Sequence, residues 1–354
     1  MMLPLFAELC AGTAALSLRL HGGKNARPPV SRMGNKQGYS SAILRTLGLR
    51  SGSGAARYLW CEPDDGCRLL LTSYTDADLR SKAAKIIRSW ADQDPRKLWE
   101  RLRAEGPVKS PPVDPREVAR WLTVQGWAYA GTNLLDPAKC GIGNIDSQGR
   151  RWGVSDQAWI AGRLSTLPTL PATILPDARA VDPREVARWI RLVTSNRLIN
   201  VGPDFQNTGQ GGSTHGGDAF CTSIPELLDA MDRVPDHPPA SILPDARDID
   251  PPQLPPGSVV YIDPHYVNTT GYAHDLGRKA VCELAERWAS AGAWVVISEA
   301  EPLAELGWHQ VEITGERIGQ KRTFSKQQRE YLTMSQPPRW RPSVQHTLFS
   351  MAAK

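Results

Sequence analysis

Residues 258–266 read Ser-Val-Val-Tyr-Ile-Asp-Pro-His-Tyr, and this stretch decides how the chain is expected to fold. The apolar run from Val259 to Ile262 is largely β-branched, which favours a strand. The run ends abruptly at Asp263, so the strand would deliver an acid, a proline and an aromatic side chain to its carboxyl end. In open α/β sheets the ligand crevice lies at that edge.

Strand and helix patterns alternate at both ends of the chain. Near the start, they predict strands at Leu3–Leu9 and Arg57–Cys61 and helices at Ala14–Leu20 and Asp76–Trp90. In the last third they predict a strand at Val259–Ile262, a helix at Asp275–Ala291, a strand at Ala293–Ser298 and a final strand pair at Trp308–Thr314 and Glu330–Ser335. This alternation is typical of βαβ units, and we predict one α/β, doubly wound sheet built from both ends of the chain.

The middle of the chain, residues 92–241, is rich in proline and contains an internal repeat. Ile174–Arg179 recurs at Ile242–Arg247, and Asp114–Trp121 recurs at Asp182–Trp189, both at an offset of 68 residues (242 − 174 and 182 − 114). Equal offsets indicate a duplicated segment. In each copy Asp-Pro is expected to open a helix, with Asp as the N-cap and Pro at the first helical position. We predict a largely helical insertion that separates residues 1–91 from residues 242–354.

Composition and charge are typical of a non-membrane protein without disulfides or a zinc site. The 354 residues carry a net charge of +5, which is compatible with a polyanionic partner and also with many metabolic enzymes. No apolar run approaches the roughly 18 residues that cross a bilayer, and the first residues read as a strand. The six cysteines are scattered without a C-x-x-C pair, so we expect free thiols in a reducing cytoplasm and no bound metal.

Two strand ends near the start are candidate ligand contacts. After the first strand, Glu8-Leu-Cys10-Ala-Gly12-Thr13 forms a small-residue turn that leads into a helix. Such a turn lets a ligand approach the backbone, although an ordinary tight turn has the same composition. After the second strand, the carboxylate of Glu62 is placed where related sheets hold ribose hydroxyls, unless it is a solvated turn acid.

A third carboxylate could accept the amino group of an adenine ring. Asp245 leads directly into the strand at Val259 and is favoured for this role, but the repeat places Asp177 in the same local sequence. Either residue could instead be a helix cap.

These motifs resemble adenine-specific (N6) DNA methyltransferases of the phage type, which use S-adenosylmethionine. Asp263-Pro-His265-Tyr266 differs by one residue from the family's Asp-Pro-Pro-Tyr box, and the Glu8 turn is similar to its cofactor motif. A Thr-Gly-Tyr run, residues 270–272, is also common in phage-borne members. Residues 31–36 look like the family's Gly-x-Lys element, which implies that Lys36 helps to bind the methionine end of the cofactor. The resemblance covers about residues 1–90 and 242–335.

The resemblance implies a Rossmann-like, doubly wound methyltransferase sheet. Residues 1–91 would be the cofactor-binding half, 92–241 the inserted target-recognition and DNA-binding region, and 242–354 the catalytic half. Two departures stand out: His265 replaces the second proline of the box, and the Gly-x-Lys element follows the cofactor motif where the family usually has it first.

The implied reaction is methyl transfer to the N6 amine of a flipped adenine in double-stranded DNA, in a bacterial or phage-infected cytoplasm, as in restriction–modification. The Asp263 carboxylate and the Pro264 carbonyl would accept the hydrogens of the amine, and Tyr266 would stack on the base. N4-cytosine methylation, methylation of RNA or of a protein amide, and an inactive DNA-binding relative are the alternatives.

Two polar stretches are candidates for DNA contact. The basic segment at residues 317–329, with Arg317, Lys321 and Arg322, suits phosphate contacts, although a solvated charged loop looks the same. The glycine-rich stretch at residues 202–218 could follow a DNA groove or be a linker.

Overall fold

The structure of the protein is a computed structural model that describes residues 3–30, 36–108, 113–128, 157–187, 189–190, 253–264, 276–313 and 330–339. Its strands are β1 (Leu3–Leu9), β2 (Ala55–Cys61), β3 (Ala172–Leu175), β4 (Val259–Ile262), β5 (Trp294–Glu299), β6 (His309–Ile313) and β7 (Glu330–Met334). Its helices are α1 (Ala15–Gly22), α2 (Ser40–Thr46), α3 (Asp65–Thr75), α4 (Ala77–Ser89), α5 (Pro95–Ala104), α6 (Pro115–Gly126), α7 (Gln157–Thr166) and α8 (Arg278–Ser290). A shorter helical segment lies at residues 183–187.

The strands form one seven-stranded sheet in the order β3-β2-β1-β4-β5-β7-β6. Strands β1 to β5 pair in parallel, whereas β7 is antiparallel to both of its neighbours. The predicted α/β class is confirmed, and the mostly parallel sheet is compatible with a Rossmann-like fold. Because β1 pairs with both β2 and β4, the strand order reverses there, and the carboxyl ends of these three strands meet at a topological switch point.

Both faces of the sheet are covered. Alternate residues along β1 and β4 enter two separate hydrophobic clusters: Phe6 and Tyr261 pack on one side, and Leu5 and Ile262 on the other. The first cluster also holds apolar residues of α1 to α4, α6 and α7, and the second holds residues of α8 and the 178–190 segment. Helices that pack on both faces explain why β4 is apolar at every position.

One strand comes from the stretch that the sequence assigned to the inserted region. Residues 172–175 pair in parallel with β2, so that Trp60 lies opposite Ile174 and Cys61 opposite Leu175. Leu170 fixes the approach to this strand, because its N–H donates to the carbonyl oxygen of Tyr74 at 2.9 Å. The region therefore contributes an edge strand as well as helices.

The predicted Asp-Pro helix starts are confirmed. Asp114 accepts a hydrogen bond from the N–H of Arg116 at 2.9 Å and caps α6, whose first residue is Pro115. Asp182 does the same for Arg184 N–H, also at 2.9 Å, where the 183–187 segment begins. No helix in the described part of the chain is long and apolar enough to cross a membrane.

Helices α3 and α6 approach closely at Gly66, and we expect this contact to limit which substitutions the protein tolerates. A methyl group on Gly66 would overlap the indole of the buried Trp121. Gly66→Ala is expected to lower the free energy of unfolding by about 1–3 kcal/mol, because overpacking forces the helices apart. Gly162→Ala in α7 is the matched control, since nothing lies within 4 Å of the new methyl group, and there a gain of roughly 0.5–1 kcal/mol is expected. Urea unfolding of both variants measures the difference, and equal stabilities would contradict the close approach.

Candidate functional site

The turn between β1 and α1 has an unusual backbone. Cys10, Gly12 and Ala14 all have positive φ angles, of 72°, 53° and 47°. For residues with a Cβ atom this region is unfavourable and persists only where the surrounding structure enforces it. The enforcing contact is the carbonyl oxygen of Cys61, at the end of β2, which accepts the N–H groups of Cys10 and Ala11 at 2.9 Å each. The turn is therefore fixed to the neighbouring strand.

Gly12 leaves open space at the top of this turn. A Cβ atom at Gly12 would meet nothing within 4 Å, while its N–H donates to Oε2 of Glu62 at 2.6 Å. The other carboxylate oxygen of Glu62 accepts the N–H of Asp64 at 3.0 Å. Beside Gly12, the buried hydroxyl of Thr13 has no hydrogen-bond partner among the described residues, which is uncommon for a buried polar atom. These features leave room and a polar partner for a ligand.

Glu8 holds the start of α1. Its carboxylate accepts the N–H of Ser17 at 2.8 Å and the hydroxyl of the same residue, and that hydroxyl accepts the indole N–H of Trp60 at 2.9 Å. Burial raises the pKa of Glu8 to about 7. The structure thus places Glu8 under the turn as its support, while Cys10, Gly12 and Thr13 form the turn itself.

Asp263 lies at the switch point and is paired with a buried lysine. Its N–H donates to the carbonyl oxygen of Leu9 at 3.3 Å, which places the start of the predicted catalytic box directly beside the β1–α1 turn. The ammonium group of Lys36 lies 2.8 Å from Oδ1 of Asp263 and 3.4 Å from Oε1 of Glu330. Only 6% of the Lys36 side chain is exposed. Lys36, predicted to bind the methionine end of a cofactor, therefore contacts the box itself.

Two acids at this edge were not singled out from the sequence. Glu330 begins β7 and accepts a hydrogen bond from the Ser298 hydroxyl. Glu299 ends β5 and is 5% exposed, and its pKa is raised to about 8, first by burial and then by the negative charge of Asp263. The available signal for Glu299 was an acid at the end of a predicted strand, which is the signal that identified Glu62.

Of the two repeated aspartates, Asp177 is found at the sheet edge. It follows β3, accepts the N–H of Arg179 at 2.9 Å, and its charge helps to raise the pKa of Cys61. Asp245, the predicted residue, lies outside the described residues.

The structure describes the first two residues of the predicted Asp-Pro-His-Tyr box. Pro264 is described and buried. Besides Asp245, the predicted residues that lie outside the described part of the chain are His265, Tyr266, Arg317, Lys321 and Arg322, together with residues 31–35, 202–218 and 270–272.

This edge therefore brings together, at one switch point, the open turn at Gly12, the carboxylate of Glu62 and the Asp263–Lys36 ion pair. Among the described residues, no group of three or more His, Cys, Asp or Glu side chains is arranged to hold a metal ion. Comparison with known protein families and with curated protein sequences gave no match to this chain.

Proposed function

We propose that the protein is an S-adenosylmethionine-dependent DNA methyltransferase that acts on the N6 amine of adenine. The observation that carries the proposal is the hydrogen bond from Asp263 N–H to Leu9, because it sets the Asp-Pro box against the turn that would hold the cofactor. On this proposal the sheet is a methyltransferase sheet, and the inserted region at residues 92–241 and the basic segment at residues 317–329 take part in DNA recognition.

The turn and its neighbours fit such a cofactor. Gly12 leaves space against the backbone, and the Thr13 hydroxyl, which has no partner within the described part of the chain, offers a hydrogen bond to a polar group of the ligand. Glu62 accepts the N–H groups of Gly12 and Asp64, and a carboxylate has the acceptor capacity to hold ribose hydroxyls as well. Asp177 at the end of β3, or its repeat Asp245, would accept the adenine amino group. Bound S-adenosylmethionine would supply an electrophilic methyl group on a sulfonium centre.

Asp263 and Pro264 would activate the target amine. An exocyclic adenine amine is a poor nucleophile because its lone pair is delocalised into the ring, and two acceptors on its hydrogens favour a more nucleophilic nitrogen. Lys36 binds Oδ1 of Asp263, which orients the carboxylate and favours its charged form. Tyr266 would stack on the extruded base. The reaction then requires little beyond positioning and exclusion of water.

The test is methyl transfer from tritium-labelled cofactor to double-stranded DNA by the purified protein. Nucleoside digestion of the product should yield N6-methyladenine, whereas N4-methylcytosine would favour the cytosine alternative. Preferential labelling of RNA or protein competitors would reassign the substrate. Counts no higher than those of Asp263→Ala would favour a non-catalytic binding protein.

If the open space at Gly12 holds the cofactor, filling it should weaken cofactor binding. Gly12→Ala should weaken cofactor binding by at least about tenfold, or ~1.4 kcal/mol, because the methyl group occupies the space that the ligand needs. Gly23→Ala is the matched control, since Gly23 also has a positive φ and an open Cβ position but lies at the far end of α1. Both variants should lose similar stability. Calorimetric titration measures the affinities, and equal binding by the two variants would place the cofactor elsewhere.

A further inference from the structure

Glu299 is a buried acid that has no side-chain partner among the described residues. It is 5% exposed at the carboxyl end of β5, next to β4, the strand that Asp263 directly follows. In the described part of the chain no hydrogen bond or ion pair joins it to another side chain, and only the backbone at Ala300 donates to it. Buried carboxyl groups are normally paired, so an unpaired one in a ligand crevice indicates a functional group.

The charged groups around Glu299 come from several elements. Asp263 after β4 opposes its ionisation, whereas Lys36 and Arg278 of α8 favour it. Lys36 is already bound to Asp263 and Glu330, and Arg278 is paired with Glu305. Neither cation is therefore a dedicated partner of Glu299, and its charge state depends on what else occupies this edge.

We propose that Glu299 accepts the proton that the target amine loses when it is methylated, an inference that rests on the proposed function. The amine lone pair forms the new nitrogen–carbon bond, and the electron pair of the broken carbon–sulfur bond stays on sulfur. The product nitrogen then carries an extra positive charge until one N–H bond breaks. Its electron pair returns to nitrogen, and the proton forms an O–H bond with the Glu299 carboxylate.

The electrostatics of the edge suit this role. In the free protein Glu299 has a pKa of about 8, so it is largely protonated at neutral pH. A cation bound at this edge would oppose the charge of Asp263, lower the pKa of Glu299 and release its proton. After methyl transfer the sulfur is neutral and the positive charge lies on the amine. The pKa of Glu299 would then rise again, so that the carboxylate takes up the proton of the amine. A base whose pKa lies close to the working pH is an effective acceptor.

The test is proton release on binding, measured by calorimetric titration in buffers of different ionisation enthalpy at pH 8. At this pH Glu8, whose pKa is about 7, is already mostly ionised, so Glu299 contributes more than Glu8 to the proton release. The wild type should release more protons on binding S-adenosylmethionine than on binding the neutral thioether S-adenosylhomocysteine, since both ligands carry the same titratable α-amino group. Glu299→Gln should bind both and lose most of this excess release, and its single-turnover rate should fall by about 10²-fold.

Glu301→Gln is the control, since Glu301 is an exposed acid two residues along the chain. It should release protons and turn over like the wild type, and thermal unfolding confirms that both variants are folded. Binding by Glu299→Gln with unchanged proton release and rate overturns the role of Glu299 and leaves the proposed function intact. Failure of the wild type to bind the sulfonium overturns both.

Discussion

Asp263→Asn is expected to lower the rate of methyl transfer to DNA by about two to three orders of magnitude, while the affinity for S-adenosylmethionine stays within a few-fold. The carboxylate is the acceptor proposed to hold the target amine, and an asparagine side chain replaces one of its acceptor oxygens by a donor. The substitution preserves the shape of the side chain. It also removes the charge that pairs with Lys36, 2.8 Å away.

Single-turnover transfer of labelled methyl groups measures this effect, and calorimetric titration measures cofactor binding. Asp78→Asn is the control, because Asp78 is an exposed acid of α4 that pairs with Lys82 on the same helix. The control should retain the wild-type rate. An Asp263→Asn variant that transfers methyl groups at the wild-type rate would remove the chemical basis of the proposed function.

Lys36→Met is expected to destabilise the protein by about 3–5 kcal/mol, because it leaves buried carboxylates without their cation. The Lys36 ammonium lies between Asp263 and Glu330, and its charge also favours ionisation of Glu299. Lys82→Met is the control, since Lys82 forms an exposed pair on α4, which contributes little.

The effect of Lys36→Met should grow with pH. In the wild type, burial raises the pKa of Glu8 to about 7 and of Glu299 to about 8. An acid whose pKa is higher in the folded state than in the unfolded state binds more protons when folded, so stability falls as pH rises from about 4.5 through these values. Without Lys36 the carboxylates near Asp263 lose a favourable charge, and the fall should be steeper.

Urea unfolding at pH 5 and pH 8 tests this expectation. The difference between wild type and Lys36→Met should be larger at pH 8, and adding Glu330→Gln should recover part of it. A Lys36→Met variant that is as stable as the wild type at both pH values would show that the buried ion pairs are not needed for folding.

The sequence determined the elements whose pattern is carried by their own residues. The apolar run of β4, the stripe of α8 and the Asp-Pro starts of α6 and of the 183–187 segment were all predictable, because periodicity and capping are local properties. The positions of Glu62 and Asp263 at the carboxyl edge of the sheet were predictable for the same reason, since each residue directly follows a strand.

The tertiary structure decided what depends on strand order. Strand β3 has only four residues and lies in a stretch whose local pattern predicts a largely helical region, so its pairing with β2 was not predictable from the sequence. The ion pairs of Lys36 and the set of charges around Glu299 likewise depend on the order in which β4, β5 and β7 lie side by side. Long-range strand pairing brings together charged residues that are far apart in the chain, and local periodicity does not predict which of them will be in contact.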